Sequence, residues 1–429
     1  MANDALKVAV RGKLVGDLAR ADSAKEATTF RYHPTTRDPQ AVSLTMPVRR
    51  DDYLWASGLH PIFDMNLPEG MLKSRLQLMF SKTIKGFDDL DLLRIVGPHQ
   101  LGRVVVGGQA SEGLPGTSIN ELLVHDGAQG FFEDLLAQYA QYSGVSGVQP
   151  KVLVRDEAVG DFDRVTHRGA THIVKAWRAE DYPELAANEF FCMRAAELAG
   201  LAVPNVQLSS GGKFLIVERF DISEDGYLGM EDLTVLNGWS SGRKYDGTYE
   251  GCVRQIKQMV DPALLQESLM QFFRNVALSA AVKNGDMHLK NVSVLYDHAG
   301  DDAMVRLSPA YDIVTTTAYQ PRDMMALEME GSKAFPKHKR LLQFGRVACG
   351  FTERAIEHAL QEIADGVSDA RKEMVEYIED NPQFERVGAR MSEAWNSGIT
   401  RSLQSEKRAT VIDLGENKKL APGMKGPGM

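Results

Sequence analysis

The octet at residues 284–291, Asn-Gly-Asp-Met-His-Leu-Lys-Asn, holds the side chains best suited to chemistry. Asp286 is followed five positions later by the amide of Asn291, with His288 and Lys290 between them. An aspartate that takes the proton from an attacking hydroxyl, followed at this spacing by an asparagine that holds magnesium, serves phosphoryl transfer. On its own, the octet is better explained as an ordinary polar loop, because aspartate and asparagine are common in loops.

Two rigid elements are predicted to hold this octet. The apolar segment 264–282 has the character of a helix, and the β-branched run 292–296 is typical of a strand. A polar loop between them would expose Asp286 and Asn291 together. Further along, Asp312 follows another predicted strand, which is where a kinase places its second magnesium carboxylate.

A lysine and a glutamate upstream form a candidate charge pair. The β-branched strand 171–175 ends in Lys175, and a helix is predicted over 184–199. Glu189 falls on or beside the apolar stripe of this helix, where an unpaired carboxylate would be costly, so Lys175 is a natural partner. The alternative is that Glu189 lies at the edge of the stripe and is solvated.

A loop rich in glycine and serine precedes a strand predicted at 152–155. It reads Ser143-Gly144-Val145-Ser146-Gly147-Val148-Gln149-Pro150-Lys151, and its backbone amides could approach phosphates. It is not a Walker A sequence, because it lacks the glycine-lysine-serine/threonine group and leads into a strand rather than a helix. Taken alone, it is more simply explained as a turn between a helix and a strand.

The composition argues against several classes of protein. With 43% hydrophobic and 25% charged residues, the 429-residue chain can bury a large core and has room for about three domain-sized units. No apolar run is long enough for a membrane span, and no secretory signal is evident. Three widely spaced cysteines argue against a disulfide framework or a zinc site and fit a reducing cytoplasm. The net charge of −9 disfavours independent coating of nucleic acid.

The order of predicted elements divides the chain into four parts. Strands near 6–18, 30–32, 42–46 and 103–106 and helices at 71–80 and 88–95 predict an α+β subdomain over 1–125, with a linker or long loop at 107–130. Residues 126–224 carry the glycine loop, Lys175 and Glu189. Residues 225–404 are mainly helical; the stretch 225–250 could carry substrate contacts, although no pattern singles one out. Residues 405–429 are predicted to be a disordered tail.

Five signals follow the order that a kinase requires: glycine loop, strand lysine, helix glutamate, Asp-x-x-x-x-Asn and metal aspartate. Each alone has an ordinary structural explanation. Together they favour phosphoryl transfer, because each role needs the others nearby. The predicted fold class is α+β: a two-lobed kinase-like fold whose N-lobe is 126–224 and whose mainly helical C-lobe is 225–404, with the additional N-terminal subdomain.

The amino-acid sequences of several segments resemble those of the HipA family, the serine/threonine-kinase toxins of bacterial toxin–antitoxin pairs. The resemblance covers most of the chain apart from the tail. The matching segments are Asn-Leu-Pro-Glu-Gly at 66–70, Ser-Gly-Val-Gln-Pro-Lys at 146–151, Thr-His-Ile-Val-Lys at 171–175, Asn-Glu-Phe-Phe-Cys at 188–192, Val-Glu-Arg-Phe-Asp at 217–221, Asp-Met-His-Leu-Lys-Asn at 286–291 and Ser-Pro-Ala-Tyr-Asp-Ile at 308–313.

The resemblance implies a site for ATP and Mg²⁺. Asp286 would be the general base, and the metal ligands would be Asn291 and Asp312. The phosphates would be covered by Ser146, Gly147, Val148, Gln149, Pro150 and Lys151 and bound by Lys175, which pairs with Glu189. Adenine would meet the backbone of Glu218, Arg219 and Phe220, with Asp221 near the ribose. Further contacts would come from His288, Leu289, Lys290 and Tyr311.

The resemblance also implies a biological setting. The chain would phosphorylate a cellular protein, aminoacyl-tRNA synthetases being known targets in the family, and so arrest growth. A HipB-like helix-turn-helix antitoxin would neutralise it and link it to operator DNA. The serine that the family autophosphorylates often lies three residues before the loop glycine, and Gly144 occupies that place here. Ser146 is therefore the candidate and Ser143 the alternative.

Two other functions remain open. The octet also resembles the loop of aminoglycoside and choline kinases, which phosphorylate small molecules; the N-terminal subdomain speaks against this alternative. A catalytically silent corepressor subunit of an antitoxin complex is the second alternative. The intact set Lys175, Asp286, Asn291 and Asp312 speaks against a loss of catalysis.

Overall fold

A computed structural model describes residues 5–405 apart from 22–25, 81–83, 85, 109–113, 126–129, 158–168 and 179. The predicted tail lies outside the described residues from position 406 onward. Among the described helices, none combines the length and apolar character that crossing a membrane requires.

The N-terminal subdomain is an antiparallel sheet with helices packed on it. Its strands are β1 (Leu6–Val10), β2 (Lys13–Arg20), β3 (Thr28–Tyr32), β4 (Tyr53–Trp55) and β5 (Val104–Val106), and they lie in the order β4-β3-β2-β1-β5. Its helices are α1 (Pro61–Asp64), α2 (Gly70–Phe80) and α3 (Asp89–Val96). The hairpin predicted at 6–18 is confirmed. Arg11 and Gly12 form its turn with φ angles of 47° and 75°, as a tight hairpin turn requires.

The strand predicted at 42–46 is wrong, because only a single bridge joins Ser43 and Met46. Glu231 of the C-lobe accepts hydrogen bonds from the Ser43 hydroxyl at 2.7 Å and the Leu44 amide at 2.8 Å. The segment therefore serves as an attachment between domains instead of pairing along a sheet.

The N-lobe contains a second five-stranded sheet. Its elements are β6 (Gly116–Thr117), α4 (Ile119–Val124), α5 (Phe131–Tyr139), β7 (Lys151–Asp156), β8 (His172–Ala176), α6 (Leu185–Leu198), β9 (Val206–Leu208) and β10 (Phe214–Glu218). The strands lie in the order β6-β7-β8-β10-β9, and α6 packs against the sheet. The linker predicted at 107–130 is wrong in its middle, where β6 and α4 form; residues 109–113 and 126–129 lie outside the described part. Because β6 pairs with β7, it belongs to the N-lobe sheet and not to the subdomain predicted over 1–125. Ser118 caps α4 by accepting from the Glu121 amide.

The C-lobe is mainly helical around a buried central helix. Its elements are β11 (Ile222–Ser223), β12 (Gly226–Tyr227), β13 (Gly229–Asp232), α7 (Leu233–Leu236), α8 (Tyr249–Met259), α9 (Leu265–Val282), β14 (Ser293–Tyr296), β15 (Arg306–Leu307), α10 (His338–Phe344), α11 (Glu353–Asp380) and α12 (Glu385–Gly398). The last two turns of α9 are buried on every side, which fits its nearly continuous apolar sequence.

The two lobes are joined by α11, which packs against both α6 and α9. The approach to α6 is close: a Cβ at Gly366 would lie 2.7 Å from the Ala199 Cα, so this crossing needs a glycine. A single long helix thus holds the element that carries Glu189 against the lobe that carries the octet.

Buried polar contacts attach the N-terminal subdomain to the rest of the chain. Besides Glu231, the carboxylate of Asp221 accepts from the Gly102 amide at 2.6 Å, and both carboxylates are almost completely buried. Because a buried carboxylate is costly without hydrogen-bond partners, these contacts define one docking geometry. The N-terminal subdomain is therefore held in one position against the two lobes.

Candidate active site

One cavity of about 820 Å³ lies between the lobes, and the residues predicted to bind nucleotide and metal surround it. Its lining includes Ser146, Gly147, Val148, Gln149, Pro150, Lys151, Lys175, Glu189, Glu218, Arg219, Phe220, Asp221, Asp286, His288, Lys290, Asn291, Tyr311 and Asp312. Leu289 does not line the cavity; its side chain is buried in the hydrophobic core. The fold thus brings together all the predicted site residues except Leu289.

The octet forms a closed loop directly after α9. The Asn291 side-chain amide donates to the Asp286 carbonyl at 2.8 Å, and the Asp286 amide donates to the Asn284 side chain at 3.0 Å. A Cβ at Gly285 would lie 2.5 Å from the Met324 carbonyl oxygen, so only glycine fits at this position of the loop. These contacts fix the distance between Asp286 and Asn291, as their chemistry would require.

Asp286 presents its carboxylate at the cavity with one oxygen already bound. The Tyr245 hydroxyl donates to Asp286 Oδ1 at 2.9 Å. Burial, and then the negative charge of Asp312, raise the pKa of the Asp286 carboxyl to about 6, while the Tyr245 hydrogen bond opposes that rise. Tyr245 lies in the stretch 225–250, where the sequence pattern singles out no residue.

Lys175 lies at the centre of a buried charge network. Its ammonium donates to Glu189 Oε1 at 2.5 Å and to Asp312 Oδ1 at 2.7 Å. Burial alone would lower the pKa of Lys175, but the charges of Asp312 and Glu189 outweigh it and raise the pKa. Lys175 therefore stays cationic, as a phosphate ligand must.

Asp312 is held in a strained backbone conformation, with φ at 60°, which is uncommon for a residue other than glycine. Burial alone would raise the pKa of its carboxyl, but Lys175 and Lys151 lower it well below the usual range. Asp312 and Asn291 line the same cavity, and the Asn291 nitrogen is used by the Asp286 carbonyl. An ionised carboxylate and an amide oxygen are the kinds of oxygen ligand that Mg²⁺ accepts in kinases.

The glycine loop wraps closely around Lys151. Gly147 has φ at 114°, and a Cβ there would lie 2.5 Å from Lys151 Nζ. Burial, partly offset by Asp312, lowers the pKa of the Lys151 ammonium. Ser146 is half-buried at the cavity, whereas Ser143 is fully buried, donates to the Tyr139 carbonyl and accepts from the Leu153 amide. Ser143 thus supports the fold of the loop.

The segment between the lobes is only partly available to a nucleotide. The Glu218 and Arg219 amides donate to the Asn205 and Thr171 carbonyls, so neither amide is available to a base. Asp221 pairs with Arg219 through contacts of 3.0 and 2.7 Å, in addition to its bond with the N-terminal subdomain. A ribose hydroxyl would have to share these carboxylate oxygens.

The N-terminal subdomain also reaches the cavity, through Glu69. Its carboxylate accepts from Lys290 Nζ at 2.8 Å and from Lys244 Nζ at 3.3 Å. The sequence assigns no chemistry to Glu69. The one feature that could have pointed to it is the motif Asn-Leu-Pro-Glu-Gly at 66–70, which resembles the HipA family.

A two-lobed α+β fold with this cleft belongs to the kinase-like class. Residues 143–371, more than half of the chain, match the HipA-like C-terminal domain, and residues 6–107 match the HipA N-terminal domain. The chain therefore belongs to the HipA family, as the sequence predicts.

Individual relatives are more distant. The chain is 32% identical over 180 residues to a Sinorhizobium fredii protein named "Putative kinase Y4dM", covering 38% of this chain and 42% of that protein. It is 26% identical over 342 residues to the serine/threonine-protein kinase toxin HipA of Shewanella oneidensis, covering 71% and 75%. The chain spans about two fifths to about half of the length of the first curated relatives that it matches.

The fold is shared with a solved structure. HipA in the Shewanella oneidensis MR-1 toxin–antitoxin complex of HipA, HipB and operator DNA superposes with a TM-score of 0.68 at 18% identity, covering 94% of this chain and 99% of that one. At this identity the likeness concerns the fold alone.

Proposed function

We propose that the chain is an ATP-dependent serine/threonine protein kinase. The observation that carries this proposal is the meeting of Asp286, Asn291 and the Lys175–Glu189–Asp312 network in one cavity. Enzymes that transfer a phosphoryl group act mainly by positioning and charge neutralisation, and this set of groups supplies both.

Each group has a distinct part in the proposed reaction. The acceptor hydroxyl oxygen bonds to the γ-phosphorus as the bond to the β–γ bridging oxygen breaks, ADP leaves, and Asp286 takes the hydroxyl proton. Lys175 and Lys151 bind phosphate oxygens. Asn291 and Asp312 would hold Mg²⁺, which would supply neutralisation of the phosphate charge. Glu189 keeps Lys175 in place.

Transfer of label from [γ-³²P]ATP with Mg²⁺ tests this function and separates it from the alternatives. The wild-type protein is incubated with a cell lysate and, separately, with a panel of hydroxylated metabolites that includes aminoglycosides and choline. Label on serine or threonine of a protein supports the proposal. Label on a metabolite alone would support a small-molecule kinase, and no label would support a silent corepressor.

The Tyr245 contact predicts a pH effect. The base must be ionised, so activity should fall as the pH drops through the Asp286 pKa of about 6. The Tyr245 hydrogen bond lowers that pKa, so Tyr245→Phe should move the acid limb of the pH–rate profile to higher pH while transfer at alkaline pH changes little. Profiles of label transfer from pH 5 to 9 check this; an acid limb that stays in place would disprove the assignment.

We also propose Ser146 as a site of self-modification. It lies at the cavity in the glycine loop, whereas the hydroxyl of the alternative, Ser143, is buried and already bonded. A phosphate at Ser146 would add about −1.5 to −2 charges and repel the triphosphate. Intact-mass analysis after ATP treatment should show one added phosphate on the wild type and none on Ser146→Ala; an equal gain on both would reject the site.

The proposed partner is a small HipB-like helix-turn-helix antitoxin that joins this chain to operator DNA. Support comes from family membership and from the net charge of −9, which disfavours DNA binding by this chain alone. Co-expression with the neighbouring small open reading frame, followed by pull-down and an operator shift assay, tests it. Recovery of this chain without a partner from its native host would count against it.

A further inference from the structure

We propose that Glu69 is a positioning residue that the N-terminal subdomain supplies to the phosphoryl-transfer site, where it holds the Lys290 ammonium against the cavity. This inference rests on the proposed kinase function. It gives the N-terminal subdomain an indirect part in the reaction, through Lys290.

Glu69 forms ion pairs with both Lys290 and Lys244. The Lys290 side chain is 5% exposed and the Lys244 side chain 16% exposed, and Glu69 contacts both ammonium groups. Burial alone would raise the pKa of Glu69, but Lys290 and Lys244 lower it to about 2, so the carboxylate is ionised at neutral pH. Removing it would take away the ion-pair contact of the buried Lys290 ammonium and leave the charge of the buried Asp232 as a weaker attraction, a change that moves the side chain.

Both lysines are attached to the catalytic loop. Lys290 belongs to the octet and immediately precedes Asn291, and its carbonyl accepts from the Tyr311 hydroxyl at 2.8 Å. The Lys244 carbonyl accepts from the Leu289 amide at 3.1 Å. Lys244 also precedes Tyr245, which hydrogen-bonds to Asp286. Glu69 therefore binds two chain segments that carry or contact the proposed base and metal ligand.

The residue after Glu69 must be glycine, because of its backbone conformation and its close approach to the glycine loop. Gly70 has φ at 53°, and a Cβ there would lie 2.7 Å from the Val148 carbonyl oxygen of the glycine loop. Any other residue at position 70 would meet both strain and a clash. Residues 69–70, at the start of α2, thus contact the loop expected over the phosphates and the loop that carries the proposed base.

Charge builds on the phosphoryl oxygens during transfer, and a fixed cation near them acts most strongly in a site that excludes water. Lys290 lines the cavity together with Asp286 and Asn291. An ammonium on a flexible four-carbon stem needs a partner to stay in one place, and Glu69 is its carboxylate partner among the described residues. Glu69 acts through Lys290 and need not touch the substrate.

A double-mutant cycle tests the proposal. Glu69→Gln, Lys290→Met and the double variant are compared with the wild type for ³²P transfer to the most strongly labelled lysate protein at saturating ATP, and for Mg–ATP affinity by calorimetry. Glu69→Gln should slow transfer by about 10- to 100-fold, the usual size for a group that acts through a neighbour, with ATP affinity nearly unchanged. The double variant should be no slower than Lys290→Met beyond about twofold, because contacting residues are not additive.

Asp64→Ala is the matched control. Asp64 also joins the N-terminal subdomain to the C-lobe, by accepting from the Ser241 amide at 2.8 Å, but it does not line the cavity. It should keep transfer within about twofold of the wild type. Wild-type transfer by Glu69→Gln, additive losses in the double variant, or an equal loss in Asp64→Ala would overturn the role of Glu69 alone. A wild-type protein that transfers no label would overturn the kinase function and this inference together.

Discussion

Replacing Asp286 by asparagine is expected to lower phosphoryl transfer by about two to four orders of magnitude, the usual contribution of a positioned base. Asparagine keeps the shape of the side chain and can still accept from Tyr245, but it cannot take up the proton of the acceptor hydroxyl. The loop around it should be unchanged, because its closure uses the Asp286 backbone and the Asn291 side chain. Initial rates of label transfer at saturating ATP measure the effect.

The control for this variant is Asp301→Asn, on an exposed turn between β14 and β15. It makes the same chemical change outside the cavity and should leave the rate unaltered. Calorimetry should show that Asp286→Asn retains most of its affinity for Mg–ATP, because the proposed phosphate ligands are intact. An Asp286→Asn protein with near wild-type transfer would show that another group acts as the base.

The second large effect is expected for Asp312→Asn, which removes the ionised carboxylate of the proposed metal site. Mg²⁺ should then no longer increase ATP affinity, so that the Kd measured with the metal rises about tenfold or more toward the value without it. Transfer should fall by at least about two orders of magnitude, because phosphate charge is no longer neutralised. Calorimetric titrations of ATP with Mg²⁺ and with EDTA measure the first effect.

Lys175→Met separates the metal from the lysine network. It removes the cation that contacts both Asp312 and Glu189 but leaves the oxygen ligands in place. The gain in ATP affinity on adding Mg²⁺ should therefore persist in this variant, although overall affinity falls. If Asp312→Asn retains the full response to Mg²⁺, Asp312 is not the metal ligand.

The N-terminal subdomain is bound to the rest of the chain through buried carboxylates, so variants that delete it are hard to interpret. Deleting the subdomain would expose Glu231 and Asp221, whose carboxylates are otherwise buried against it, and would also remove Glu69. Loss of activity in such a truncation would not distinguish folding from chemistry. Single substitutions in the full chain are therefore the informative experiments.

The sequence by itself determined the class of fold and the order of the groups around the cleft. Helix α9, strand β14 and the octet between them follow from local patterns, since the apolar run, the β-branched run and the polar residues are adjacent along the chain. The wording of seven segments was specific enough to indicate the HipA family, and the match over residues 143–371 confirms it.

Only the tertiary structure decided which distant groups complete the site. Tyr245 is 41 residues from Asp286, Glu69 is 221 residues from Lys290, and Gly102 is 119 residues from Asp221. The residues at 42–46 look like a strand locally, but their polar groups bind Glu231 across a domain boundary. Such contacts depend on how whole elements pack, whereas periodicity and spacing report only on neighbours within a few turns or strand pairs.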